Sequence, residues 1–322
     1  MTPAAAIDPE KILRQLRQLW VDLAKEQDRP GGVLRACAMT LIVVAEPNAS
    51  DADAELARQT IGALMHRHPS RAIVISLREA GDFSASVFSE CWTPFAGRQQ
   101  ICAEGIAITA DSEQTDEVAR LLVPLIAPDL PVVLWCRGPR AFLDRSLDPL
   151  FPLAEKVIFD TGRVRNPVSA IEFLRRMCKD RRCVADLAWT RVTGWREAVS
   201  HLYDSGSCGD VSGITGVRIT YAGDRPGTRA LYFARWLERA IPSVNIDLVQ
   251  TNQAVGASGL QSVVFFSEKK QASVRLVDAS TLEIRTTEQT SLTPLPAQTE
   301  ESLVHEELSI LGRDTVYEGM LR

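Results

Sequence analysis

Cys37-Ala38-Met39-Thr40-Leu41-Ile42-Val43-Val44-Ala45 is the stretch that decides the fold class. It is apolar along most of its length and too short for a typical core helix, so it reads as a buried strand. Outward from it, residues 53–65 carry a helical pattern and 72–77 form a second apolar run. Strand, helix, strand is the unit that builds a parallel sheet. The alternation continues with strands expected at 87–92 and 101–109, separated by Pro94-Phe95-Ala96-Gly97. A helix at 113–126, strands at 131–135 and 156–160, and a helix at 168–178 follow.

Upstream, Asp8-Pro9-Glu10 is a helix start, with a capping carboxylate, a proline at the first helical position and an acidic first turn. Ile12, Leu16, Leu19, Trp20 and Leu23 follow at helical spacing. Such a stripe docks on its own domain or on a partner, and a homo-oligomer built through this helix is a further reading. Downstream, a helix is expected at 189–202, then a Gly/Ser-rich connection from Asp204 to Asp210. The remainder reads as a strand at 217–221, a helix at 228–240, strands at 262–266, 273–277 and 282–286, and a last helix carrying Leu303, Leu308 and Leu311. Short connections between the last three strands predict an antiparallel meander. The fold class is therefore α/β, with a mostly parallel-sheet N-terminal domain and a smaller α+β C-terminal domain. The boundaries expected are 1–32 for the N-terminal helix and linker, 33–187 for the α/β domain and 188–322 for the C-terminal domain.

The 322 residues are 45% hydrophobic and 24% charged, with a net charge of -5. A nucleic-acid partner needs a concentrated basic face, which this balance argues against. No run of about 20 apolar residues is present, so no transmembrane helix is expected, and residues 1–10 lack the pattern of a secretory signal. Seven cysteines without a C-x-x-C pair read as mainly reduced, structural thiols of a cytoplasmic protein. Cys178 and Cys183, with Arg176, Lys179 and Arg182 nearby, are the redox candidates.

Catalytic signatures are missing: no G-x-G-x-x-G, Walker A, G-x-S-x-G or H-E-x-x-H motif occurs. The first core strand runs into Glu46-Pro47-Asn48-Ala49-Ser50-Asp51, which has no glycine for a dinucleotide turn. No metal and no cofactor are expected. His66 and His68 read as helix-end residues that favour the macrodipole. His68-Pro69-Ser70-Arg71 is either an anion or partner contact, or a tight turn with Arg71 paired to a local carboxylate. Ser70, Arg71, Arg98 and Arg137 are the candidate anion or ligand contacts. Trp189, Arg191, Trp195 and Arg196 are candidate partner contacts, because Trp and Arg are enriched at interface hot spots. The alternative for these four is a packed domain junction.

These words, in order, resemble the OpcA family of glucose-6-phosphate dehydrogenase assembly proteins. The resemblance runs through Arg35-Ala36-Cys37, Thr40-Leu41-Ile42-Val43-Val44 and His68-Pro69-Ser70-Arg71-Ala72-Ile73. It continues through Arg98-Gln99 with Cys102 and Glu104, Ala127-Pro128-Asp129-Leu130-Pro131-Val132, Leu134-Trp135 and Arg137-Gly138. Asp186-Leu187, Trp189-Thr190-Arg191 and Trp195-Arg196-Glu197 close it. The chain departs from the family pattern at Ala103, Cys136 and Gly194. The resemblance implies a non-catalytic partner that assembles or allosterically activates the dehydrogenase. A rival reading is a sugar-phosphate sensor or enzyme using a cleft lined by Arg71, Arg98 and Arg137.

Overall fold

In the computed structural model the described residues are 7–25, 33–45, 51–79, 83–94, 99–143, 145–180, 182–204, 213–242, 244–253, 255, 259–267 and 271–322. The chain forms two compact units. The first comprises Met1–Val164, Arg176–Ala185 and Val304–Arg313; the second comprises Arg165–Arg175, Asp186–Leu303 and Asp314–Arg322. The expected connection at 204–210 lies almost wholly outside the described residues.

Helix α1, Pro9–Lys25, opens the first unit, and its start is built as the sequence dictates. The Glu10 amide donates to the Asp8 carboxylate at 3.0 Å. Strands β1 (Val33–Arg35), β2 (Met39–Ala45), β3 (Ser70–Arg78), β4 (Ser84–Trp92) and β5 (Gln100–Asp111) follow, with α2 (Asp51–Arg67) between β2 and β3. Next come α3 (Thr115–Leu122), β6 (Val132–Cys136), β7 (Lys156–Phe159) and β8 (Cys183–Asp186); α4 (Pro167–Lys179), which precedes β8, belongs up to Arg175 to the second unit. The sheet order is β1-β5-β3-β2-β6-β7-β8, with β4 on the far edge of β5. β2 is hydrogen-bonded in parallel to β3 and to β6, β3 to β5, and β6 to β7. From Met39 to Val44 every residue of β2 is buried, as a strand covered on both faces must be.

Strands β4 and β5 pair antiparallel, with Cys91 directly opposite Cys102. The two cysteines form a disulfide, which corrects the expectation of reduced structural thiols at these positions. Both strands are legible in the sequence, but their cross-strand register is a tertiary fact. Cys37 and Cys136 are free thiols; Cys208 lies outside the described residues. Burial pushes the Cys136 thiol far up, so it behaves as a small hydrophobe.

On the same strand pair, Gly105 faces Phe88. A Cβ at Gly105 would overlap the Phe88 ring. Gly105→Ala is expected to cost roughly 1–3 kcal/mol, because an overpacked site must shift the strand. A urea unfolding midpoint equal to that of the parent would count against it.

The second unit contains α5 (Leu187–Thr190), α6 (Thr193–Asp204), β9 (Ile214–Ala222), α7 (Thr228–Ala240), β10 (Asn245–Thr251), β11 (Leu260–Ser267), β12 (Gln271–Asp278), β13 (Thr281–Arg285) and β14 (Thr290–Pro294). Helices α8 (Glu300–Ser309) and α9 (Thr315–Leu321) end the chain. The expected meander β11-β12-β13 is present inside a larger six-stranded sheet of order β10-β9-β11-β12-β13-β14. It is a mixed sheet, since β10 pairs parallel to β9. The single helix expected at 189–202 is instead two. Asp186 starts α5 by accepting from the Ala188 amide at 2.9 Å, and the helix breaks at Arg191-Val192 before α6 begins.

Candidate functional site

In the first unit the site begins at Glu104, on β5, a carboxylate 1% exposed. One oxygen accepts from Arg71 Nε at 2.6 Å and from Arg35 at 2.8 Å. The other accepts from the Trp20 indole N–H at 2.6 Å. Arg71 also donates to the Leu125 carbonyl at 2.8 Å, and Arg35 lies over the Trp20 ring at 5.3 Å. Burial pushes the Glu104 carboxyl up, but the Trp20 hydrogen bond and the cations Arg71 and Arg35 outweigh it and hold it below the usual carboxylate range. The group fastens α1 to the sheet. It is the reading in which Arg71 is paired to a carboxylate, with the partner 33 residues away rather than local. Ser70 is fully buried, and its hydroxyl has no hydrogen-bond partner among the described residues.

Arg137 sits at the other end of the parallel strands, just after β6. Gly138 follows it at φ 98°, a left-handed turn that favours glycine. Arg137 makes a two-pronged ion pair with Asp53 at the start of α2, at 2.8 and 2.9 Å. That hydrogen bonding, working against burial, lowers the Asp53 carboxyl below its ordinary range. Arg71 lies at the N-terminal end of β3 and Arg137 beyond the C-terminal end of β6. The parallel pairing therefore separates them by a strand length, and they do not share a cleft. Arg98 lies outside the described residues.

In the second unit, Trp189 and Trp195 are 2% and 3% exposed. These rings are core, which corrects the expectation that they present a hot spot directly to a partner. Trp189 donates its indole N–H to Asp314 at 2.8 Å, and Asp314 also caps α9. Arg196 stacks on Trp189 at 3.9 Å from the ring centre. Trp195 packs edge-on to Phe233 on α7, with centroids 6.3 Å apart. Sequence reasoning missed the polar centre of this packing. Asp186, fully buried, accepts from the Tyr232 hydroxyl at 2.6 Å, and Tyr232 meets the Tyr317 hydroxyl at 3.1 Å. The apolar run Leu187-Ala188-Trp189 was the available signal, since a helix buried on every side lies inside a unit. Arg191 and Arg196 are half-buried, and the segment leaves Glu197 and Ser200 more open than the rings beside them. In the first unit, Cys183 lies 3.5 Å from the Gly312 carbonyl. No group of three or more His, Cys, Asp or Glu suited to a metal occurs among the described residues.

Residues 182–321 match a domain family described as the C-terminal domain of the glucose-6-phosphate dehydrogenase subunit. Residues 62–176 match its companion, described as the N-terminal domain of that subunit. The chain belongs to the OpcA family. A curated OpcA of Synechocystis sp., named provisionally as an OxPP cycle protein, is 22% identical over 164 residues. That stretch is 50% of this chain and 34% of the Synechocystis protein. Among solved structures, a super-repressor mutant of Gal80p from Saccharomyces cerevisiae aligns with a TM-score of 0.51 at 9% identity, covering 88% of this chain and 93% of that one. An aldose-aldose oxidoreductase from Caulobacter crescentus aligns at 0.48 and 11% identity, covering 88% and 94%. At 9% identity the likeness of this OpcA-family chain to Gal80p concerns the fold and carries no chemistry across.

Among the described residues of the OpcA-family chain, no helix is long and apolar enough to cross a membrane.

Proposed function

We propose that this OpcA-family chain is a non-catalytic, cytoplasmic accessory protein that binds glucose-6-phosphate dehydrogenase and assembles or allosterically activates it in the oxidative pentose phosphate pathway. The observation that carries the reading is that both halves of the chain match domains whose descriptions name that dehydrogenase. Activation requires tighter binding to the active or assembled state than to the alternative. We place the partner contact of the 189–197 segment on Arg191, Arg196 and Glu197 rather than on the buried indoles. Self-association through α1 has less support, because Ile12 and Leu16 are buried within the first unit. The sugar-phosphate reading loses its motive with the separation of Arg71 from Arg137.

The test uses the intact chain and the dehydrogenase encoded by the same genome. Co-elution of the two and a raised dehydrogenase rate are expected. Glu197→Lys is expected to slow association at unchanged melting temperature, because a rim charge acts chiefly on the on-rate. Two proteins that elute separately, with an unaltered rate, would refute the proposal.

A further inference from the structure

Helices normally cover both faces of a doubly wound sheet, and its central strands are buried throughout. β3 departs from this. Ile73, Ile75 and Leu77 are buried, whereas Ser76 is less so than its neighbours on that strand and Arg78 is exposed. Side chains alternate along a strand, so Val74, Ser76 and Arg78 share one face. On neighbouring β5, Ile106 and Ile108 are buried while Ala107 and Thr109 are only half-buried. Over this face lies a cavity of about 660 Å3, bounded by α2, by Phe88 and Glu90 of β4, and by Arg137. Its room comes from small residues where a packed sheet would carry large ones: Ala54, Ala57 and Gly62 on α2, and Ala107 on β5. The volume falls within the roughly 300–1,000 Å3 of small-ligand sites. Its place also points to a ligand. β2 lies between β3 and β6, so the chain reverses direction across the sheet there, and open α/β folds take ligands at the carboxyl ends of strands beside such a reversal.

The charges at the cavity are mostly matched. Arg137 pairs with Asp53, Arg58 with Glu55 at 2.7 Å, and Glu90 with His66 at 3.1 Å. Arg78 makes no ion pair among the described residues. Among the described residues the cavity thus offers one cation without an ion pair, an apolar floor, the Ser76 hydroxyl and the Glu90 carboxylate. We propose that it binds a nucleoside monophosphate. The base lies on the floor formed by Val74 and Ala107, the phosphate meets Arg78, and Ser76 and Glu90 engage the sugar hydroxyls or ring amino groups. One cation without an ion pair among the described residues suits one phosphate. A pyrophosphate would call on a glycine-rich turn after β2, where this chain has Glu46-Pro47-Asn48-Ala49-Ser50.

The experiment is calorimetry on the isolated full chain, independent of the dehydrogenase, with AMP, GMP, CMP and UMP titrated singly. At least one is expected to bind once per chain with a Kd on the order of micromolar. Arg78→Ala, an exposed change, is expected to weaken that binding by about tenfold or more, as loss of a charged hydrogen bond should. Ala107→Leu and Ala54→Leu, two independent fillings of the cavity, are expected to abolish it in whichever variant keeps the parent circular dichroism. Inorganic phosphate and glucose 6-phosphate are expected to bind far more weakly. Absence of binding by all four nucleotides, equal binding of either control, or indifference to Arg78→Ala would overturn the assignment.

Discussion

Trp195→Ala is expected to lower the free energy of unfolding by roughly 3–5 kcal/mol, the cost of emptying a buried aromatic site. Trp195 is 3% exposed and meets Phe233, itself fully buried. Val199 and Leu202, further along the same helix, are buried too, so little of the void can be refilled by water or by a surface chain. Set against a total stability of about 5–15 kcal/mol, the variant loses a large part of its margin. Its melting temperature should fall on the order of 10 °C. Chemical denaturation and a thermal melt of the isolated chain measure this. An unchanged melting temperature together with weakened dehydrogenase binding would mean that the indole serves the partner and not the core.

Sequence alone leaves that distinction open for a physical reason. Tryptophan with a neighbouring arginine describes an interface hot spot and a packed core equally well, because both reward a large ring and a guanidinium that can stack on it. What separates them is the partner: Asp314 for Trp189 and Phe233 for Trp195, each many residues away. Arg71 behaves the same way. Pairing with a carboxylate was one of its two readings, yet Glu104 becomes its neighbour only when β3 and β5 pair.

The fold divides along a similar line. β2, β3 and α7 are legible because their apolar patterning is strong and local. β10 and β14 are not, since neither edge strand contains a fully buried residue and the contrast that marks a strand is weak there. The disulfide between Cys91 and Cys102 depends on a strand register, and spacing alone does not supply one. The cavity is illegible for the opposite reason: alanine, glycine and serine at 54, 57, 62, 76 and 107 look ordinary until the helix and sheet that carry them face each other.

The second large effect is expected at Glu104. Glu104→Gln keeps the shape of the side chain but leaves the Arg71 guanidinium, 8% exposed, without its counter-charge. Breaking a buried pair from one side costs roughly 3–5 kcal/mol, and here Trp20 and Arg35 lose their charged acceptor as well. The pH dependence follows from the lowered carboxyl. A carboxylate whose folded pKa lies below its unfolded value contributes stability above the unfolded value, and loses it as pH falls through the folded one. The parent should therefore weaken steadily below about pH 4.5, the ordinary Glu value, while Glu104→Gln should lack that component of the slope. Replacing both partners, as in Arg71→Met with Glu104→Leu, should recover much of the loss, because neither buried charge then remains. Urea unfolding of the three proteins at pH 7 and pH 4 tests the argument. If the single change is no more costly than the double, Glu104 is not the charge on which Arg71 and α1 depend.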